Sequence, residues 1–522
     1  MQPKKLTHLF KKTWPIIFIG SFSFLINYHY GFIGMMPMDN TVLFNGGYRV
    51  FSGQVPFSDY WLVTGPLLDY LNAFFFKILG ISWTTFIIHS SIFNSLIAIA
   101  SYYFFKKMNL SDSFSIIYSL FISILFYPVV GTPFVDHHSI FFLILAFYSL
   151  ILAVKTKNLE YYIYIPSILC LSFLSKQTPA AYGMITIPVI ILFISFFKKK
   201  ERVTILKNLI IGSVIAISFI LLFFLITEID FKNFIQQYIF YASSIGDDRL
   251  SNYDFNFLNE ITKYKFIFYF VFLLLFILIK FKLNGSLDID ILIILLTSII
   301  FSLLLVTHQA ISLNQNFIFF IIPFLCGVAH SNYNKLFKKN YFLIFTFLIC
   351  VFSVGKYHLR FNEERKFNEL ENIDISRAVD AKILDKKLSG LKWITYIHPD
   401  DPQKELKNLS VVMKLFSKEP LPKMLITDYQ IIAPILNIYD NSPNQWHHPS
   451  VSFPLKGSKY FETYKKYFIT KIKKNKIVFI FETREDSKTI TELVLDDKCF
   501  TKGRISEMLI KIKLNNKCKD FE

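Results

Sequence analysis

Charged residues are scarce in this chain: they make up 18% of 522 residues, where a soluble domain carries roughly 25%. Too few polar groups are present to cover a water-facing surface, which excludes a soluble enzyme. The 53% hydrophobic content excludes a disordered chain. Five cysteines are too few for a disulfide scaffold of this length. The sequence has no internal repeat, and its polar C-terminal part has no glycine-rich phosphate fingerprint, so no nucleotide is assigned there. What it has instead is 60 Phe, long Ile/Leu/Phe runs and a mean hydropathy of +0.43. These indicate several membrane spans. The net charge of +18 invites a nucleic-acid reading, but the placement of the charges argues against it.

A spanning helix needs roughly 20 mostly apolar residues. That rule gives about eleven candidates, at 14–33, 83–105, 113–130, 139–154, 161–174, 180–197, 204–226, 266–279, 289–306, 316–329 and 341–354. The first is too long for a signal-peptide core and lacks a small-residue cleavage site, so it reads as a retained anchor. With the N-terminus inside, alternate loops on the inner side hold 18 of the 26 basic residues up to Lys356, and the opposite side holds 8. Cytoplasmic loops are enriched in Lys and Arg, so the basic excess of this half is a topology signal. No nucleic-acid partner is expected.

An odd number of spans puts the chain after residue 356 outside. The expected organisation is a transmembrane domain at 1–356, with a first external loop at about 34–82, and an external domain at 357–522. The latter reads as a small α/β domain, with helices at 375–388, 405–416 and 461–474 and strands at 424–426, 477–481 and 509–512. Its cysteines, Cys499 and Cys518, either pair on an oxidising side or remain two thiols. Cys170, Cys326 and Cys350 read as packing residues within spans. Trp446, His447 and His448 with Trp393 suggest a sugar-stacking surface, although core aromatics explain Trp393 equally well.

The inner loops are short and basic. The outer ones carry the polar residues that need explaining, and ionisable groups beside spans are functional candidates. Asp39 leaves the first span, followed by an amphipathic segment (Val42, Phe44, Tyr48, Phe51) expected to lie at the interface. The same loop continues through Gly53-x-x-Pro56-Phe57-x-Asp59 and Gly65-Pro66-Leu67. Later outer turns carry Asp136-His137-His138, Ser175-Lys176-Gln177-Thr178, Asp247-Asp248-Arg249 and His308-Gln309 with Asn314-Gln315.

The Asp39 exit, this loop pattern, the Asp136 turn and the Ser175–Thr178 turn resemble the GT-C superfamily of integral-membrane glycosyltransferases. The similarity is to the bacterial branch related to protein O-mannosyltransferases and aminoarabinose transferases, and it covers roughly residues 1–183. The resemblance implies a polyprenyl-phosphate-linked sugar donor, transfer at the outer face of the inner membrane and an external-loop Asp at the catalytic centre. Asn40 follows Asp39 where the family commonly has an Asp-Glu pair, which argues against a two-carboxylate mechanism there.

Transfer from a lipid phosphate needs a base for the acceptor hydroxyl and cations for the departing phosphate. Asp39 is the expected base, the alternative being a helix cap. Asp136 is a second catalytic candidate, as acceptor-orienting residue or metal ligand. Lys176 stands on the outer side, where topology gives no reason for a lysine, and is the expected phosphate ligand, against a snorkelling lysine. Gln177 adds donors, and Arg249 is a phosphate clamp unless it merely pairs with Asp247 and Asp248. His138 and His308 are further substrate-binding candidates, and Asn314 and Gln315 hydrogen-bonders. Asp59 either binds substrate or holds the loop together. No motif requires a cofactor; a divalent metal is left open. The expected partners are the lipid bilayer, a polyprenyl-phosphate sugar and an exported glycan, lipid or protein acceptor. A lipid-linked saccharide flippase or a glycan ligase or polymerase are the alternatives; nearly charge-free spans speak against the flippase. Removing residues 362–522 is expected to leave the membrane part inserted and to impair acceptor use.

Overall fold

Each of the eleven apolar stretches overlaps an α-helix among the described residues of the computed structural model. The structure describes residues 3–251, 253, 256–312, 317–333, 336, 341–483, 489–515 and 519–521, with side chains for all of these except 3–12, 257 and 519. In chain order the first helices are α1 Pro3–Tyr30, α2 Val42–Phe51, α3 Leu67–Leu79, α4 Trp83–Lys107, α5 Asp112–Leu125, α6 Val135–Thr156, α7 Tyr161–Ser175 and α8 Gln177–Phe197. Then come α9 Arg202–Thr227, α10 Phe231–Phe234, α11 Ala242–Ser251, α12 Phe257–Lys263, α13 Lys265–Leu283, α14 Ile289–Ser312, α15 Ile321–Tyr333 and α16 Tyr341–His358. The remainder holds α17 Pro402–Lys418, α18 Ile432–Leu436, α19 Phe461–Lys474 and α20 Ile490–Val494, with six strands, β1 Val379–Asp380, β2 Lys392–Trp393, β3 Lys423–Thr427, β4 Phe479–Thr483, β5 Phe500–Ser506 and β6 Leu509–Leu514.

Among the described residues, eight helices are long and apolar enough to cross a membrane: α4, α5 with its following turn, α6, α8, α9, α13, α14 and α16 with its following turns. Of the other three expected spans, α7 and α15 are short, at 15 and 13 residues, and the side chains of the first ten residues of α1 are not described. The chain is therefore a polytopic α-helical membrane protein with a small C-terminal sheet region.

The chain divides into two units. The first comprises residues 1–31, 87–223 and 249–367. Here α6 is the most enclosed of the eight long apolar helices: it packs on α7, α8 and α14, with Leu143, Ile144, Phe147 and Ile151 buried. The turn before α6 passes so close to the end of α1 that Gly131, at φ +81°, has Gly31 Cα 2.5 Å from where a Cβ would sit. Asn27 and Ser90 reinforce this crossing by donating to Gly131 O at 3.2 and 2.9 Å. Arg365, fully buried, donates to the carbonyls of Pro128, Val129 and Val130.

The second unit comprises residues 32–86, 224–248 and 368–522. Its sheet runs β3-β4-β6-β5, with β3 and β4 parallel and the other pairs antiparallel. Parallel strands need a long crossover, and α18 and α19 lie in that connection. The core mixes all three stretches: Trp61 and Tyr241 bury themselves with Met424, Ile426, Tyr464, Phe468, Ile480 and Ile512. The segment after α1 is thus part of the same fold as the C-terminal residues.

Several sequence expectations are corrected here. No helix forms at 375–388; three 3₁₀ turns and β1 replace it. Asp374, Asp380 and Asp385 each accept from the N–H two residues on, at 3.0, 2.9 and 2.8 Å, and such side-chain bonds compete with a helix. Strand β5 was not expected, because its residues 501–505 are all exposed. Helix α2 does form, but Val42, Leu43, Phe44 and Tyr48 are buried in protein, so it presents no free apolar face there. Trp393 and His447 are buried, with Trp393 Nε1 donating to Glu405 and His447 Nε2 paired with Ser442 Oγ, so neither belongs to a sugar-stacking surface. Cys170, Cys326 and Cys350 are free and buried. Cys499 is disulfide-bonded; Cys518 lies outside the described residues.

Candidate functional site

In the first unit, three elements that are far apart in sequence meet at one end. Asp136 occupies the first turn of α6, where the helix dipole favours a carboxylate. Lys176 is the extended residue between α7 and α8, so the corner itself aims its side chain. His308 lies near the C-terminal end of α14. Lys176 Nζ is 2.6 Å from Asp136 Oδ2, and His308 Nε2 is 3.2 Å from Asp136 Oδ1. Both carboxylate oxygens are therefore engaged, one by each base. Asp136 and His308 are each 1% exposed and Lys176 is 19% exposed. The ammonium is thus the one member of the trio with substantial access to a ligand.

Around this trio, Ser139 Oγ donates to Lys176 O and pairs with Ser172, which fixes the corner that carries Lys176. Arg249 is within electrostatic reach of His308, and its Nη1 donates to Ser312 O at 3.3 Å. Gln177 opens α8 and is half-buried. Gln309, next to His308, is buried with neither amide atom hydrogen-bonded; an unsatisfied buried amide calls for an explanation. Asn314 and Gln315 lie outside the described residues.

The structure engages His138 with other groups. Its Nδ1 is 3.2 Å from both Tyr127 Oη and Phe134 O, and its Nε2 is 3.1 Å from His89 Nε2. His137 Nε2 bonds Phe126 O, and its ring stacks on Phe317. Sequence reasoning missed His89 and Tyr127, and only their polarity within apolar runs could have signalled them. For a metal, the fit is poor: among the described residues no group of three or more His, Cys, Asp and Glu side chains gathers to hold an ion, and a lysine already occupies one oxygen of Asp136.

The second unit holds the other two predicted carboxylates. Asp39 is half-buried in a five-residue π-turn, Pro37–Thr41. Turns of this kind are uncommon and recur at functional sites. Asp59 is tied into the loop: it accepts from Val55 N at 3.0 Å and from Lys474 at 3.1 Å, and its carbonyl accepts from Lys471. Burial pushes its carboxyl upward, but the Val55 N–H and the two lysines outweigh it, so the net shift is downward.

Two buried polar groups that the sequence did not single out organise this unit. Arg49 pairs with Asp440 at 2.7 Å, and Asn45 joins the same carboxylate at 2.6 Å. Asp69 accepts from Tyr60 Oη at 2.7 Å and from Gln445 Nε2 at 2.7 and 2.8 Å. Burial raises the Asp69 carboxyl to about 7 against these donors and Arg49. Gly46 is required beside it, since a Cβ there would sit 2.2 Å from Asp69 Oδ1.

No family model and no curated protein matches the chain. Solved structures with a similar layout include an archaeal oligosaccharyltransferase, AglB from Archaeoglobus fulgidus, in complex with an inhibitory peptide and a dolichol-phosphate. It is 14% identical, with a TM-score of 0.45 over 91% of this chain and 70% of that one. The apo form of the Archaeoglobus fulgidus oligosaccharyltransferase gives 14% identity and a TM-score of 0.46 over the same shares. ArnT from Cupriavidus metallidurans bound to undecaprenyl phosphate is 9% identical, with a TM-score of 0.46 over 96% of this chain and 98% of that one.

Proposed function

We propose that the chain is a GT-C-type glycosyltransferase that moves a sugar from a polyprenyl-phosphate-linked donor to an exported glycan, lipid or protein. In this reading the N-terminus is cytoplasmic and transfer takes place at the outer face of a bacterial inner membrane. The observation that carries it is the Lys176–Asp136–His308 trio at the end of apolar helices, with Arg249 in electrostatic reach. Cations held in a water-poor setting suit a phosphate that gains charge as it leaves, because electrostatic stabilisation is strongest there. Asp136 aims Lys176.

In the transfer step the acceptor oxygen bonds to the anomeric carbon and the bond from that carbon to the phosphate oxygen breaks. The acceptor proton goes to a general base, the role proposed for Asp39, and the polyprenyl phosphate leaves with the electron pair, for which Lys176 and Arg249 are the proposed ligands. A general base contributes about 10²–10⁴-fold.

The test supplies the purified full chain with a panel of polyprenyl-phosphate sugars and candidate acceptors. Wild type should release polyprenyl phosphate and glycosylate an acceptor. Asp39→Asn should bind donor and fail to turn over, and Lys176→Ala should bind donor more weakly. Full turnover in Asp39→Asn removes Asp39 as the base. Movement of intact lipid-linked saccharide across vesicles, without release of the carrier, overturns the transferase reading.

A further inference from the structure

The stretch that carries Asp39 is built onto the C-terminal part of the second unit. Lys392 N donates to Phe32 O at 2.8 Å, Gly34 N to Lys392 O at 3.0 Å and Met35 N to Ile394 O at 3.2 Å. Residues 32–35 therefore run alongside β2 like an added strand. Gly34 takes φ +66°, and a Cβ there would sit 2.3 Å from Leu370 Cδ1, so the chain turns over the C-terminal residues with no room to spare.

The π-turn then follows, and its two ends are tied differently. At the start, Met36 N donates to Asn40 Oδ1 at 2.8 Å, an interaction within the turn. At the end, the tie goes outward. The buried Thr41 hydroxyl lies 2.6 Å from Pro37 O and 2.9 Å from Asp428 O, and it accepts from Gln430 N at 3.0 Å. Gln430 is itself held, accepting from Asn45 Nδ2 at 3.0 Å and donating to Gln445 O at 2.6 Å. One hydroxyl thus joins the first carbonyl of the π-turn to the loop that leaves β3, nearly 390 residues away in sequence.

We infer that Thr41 is a positioning residue for Asp39, through which residues 428–430 fix the turn that presents the carboxylate. The inference rests on the reading of Asp39 as the base. Thr41 lies two residues from Asp39 and acts only on backbone groups. Replacing its hydroxyl by a methyl leaves the Gln430 N–H buried without its acceptor and removes the one proton that Pro37 O and Asp428 O share. The turn then loses its outward tie while the β-branched shape is kept. A misplacement of about 1 Å at a reacting group can cost ~10²-fold in rate.

The experiment compares Thr41→Val, Thr41→Ser and Asp39→Asn in the intact protein. Thr41→Val should lower kcat by ~10–100-fold with the donor KM unchanged, while Thr41→Ser, which restores the hydroxyl, should stay near wild type. Asp39→Asn in the same assay reports on the base assignment alone. A second measurement does not depend on turnover: with Asp39→Cys as background, the maleimide labelling rate at position 39 should change several-fold when Thr41→Val is added and should return with Thr41→Ser. Unchanged kcat in Thr41→Val beside an inactive Asp39→Asn overturns the inference and leaves the base standing. An unchanged labelling rate overturns it as well. Activity in Asp39→Asn removes the base, and the inference with it.

Discussion

The proposed function gives the Lys176–Asp136 pair two separable jobs, and a double-mutant cycle divides them. Asp136 is buried, so Lys176→Met takes the ammonium from its carboxylate while the His308 contact at 3.2 Å remains. Removing one partner of a buried pair costs about 3–5 kcal/mol. Because Lys176 is a fifth exposed, water takes up part of the loss, and the expected cost is near ~3 kcal/mol. Asp136→Asn added to Lys176→Met removes the charge that has lost its ammonium, so the double variant should recover about 2 kcal/mol relative to the sum of the singles. Thermal unfolding of the intact protein in one fixed detergent measures both. Affinity for undecaprenyl phosphate should behave differently. A charge-assisted hydrogen bond contributes roughly 1.5–3 kcal/mol, so Lys176→Met should weaken lipid binding by about 10–100-fold, and the double variant should stay weak. Additive stabilities within about 0.5 kcal/mol would refute the ion pair as a stabilising unit. Lipid affinity restored in the double variant would show that Lys176 serves Asp136 and does not touch the phosphate.

Asp69 predicts an acid-side gain in stability for the second unit. Its carboxyl titrates at about 7 when folded, against 3.8 ordinarily, so between these values the folded state holds a proton that the unfolded state has lost. Stability should therefore fall as pH rises from about 4 to about 7, by up to ~1.4 kcal/mol per pH unit and ~4 kcal/mol in all, and then level off. Four of the five tryptophans, Trp61, Trp83, Trp393 and Trp446, belong to this unit, so intrinsic fluorescence follows it. Asp69→Asn should flatten the profile, and a slope that survives that change rules Asp69 out as its source. In the first unit, Gly131→Ala forces a side chain onto the Gly31 backbone at 2.5 Å and into φ +81°. The left-handed backbone alone costs ~1–2 kcal/mol, and the clash adds to it because backbone cannot rotate away. Loss of the monodisperse peak in detergent chromatography is the expected result, and wild-type yield and thermal midpoint would contradict the close approach.

The membrane helices were legible because a run of about 20 apolar residues has few alternatives to a span. The convergence of Asp136, Lys176 and His308 was legible only as a side of the membrane: alternation put all three on one face. Their pairing was not legible, since nothing in local sequence links residues 40 and 172 positions apart. Arg49 was counted as one more basic residue. The available signal was its position four residues after Asn45 on a helix otherwise apolar on that side, so that both polar groups reach Asp440. Asp69 lies two residues beyond the Gly65-Pro66-Leu67 stretch and carries no mark of burial in the sequence. At 375–388 the residues are good helix formers, and three aspartates that bond their own backbone override them.

The same network changes what a C-terminal truncation can test. A cut at residue 362 also removes Arg365, whose guanidinium satisfies three carbonyls at 128–130 and so belongs to the first unit. A cut after Phe367 spares that arginine but strips the first loop. Arg49, fully buried, loses Asp440; Asn45 loses Gln430; Asp69 loses Gln445; and Thr41 loses both of its C-terminal partners. An unpaired buried charge is itself worth about 3–5 kcal/mol, so the loop would not keep its fold. Loss of activity in either truncation would then follow from the disordering of the Asp39 segment, whatever the C-terminal residues do with an acceptor. Only point substitutions on the exposed face of the C-terminal residues separate acceptor recognition from support of Asp39.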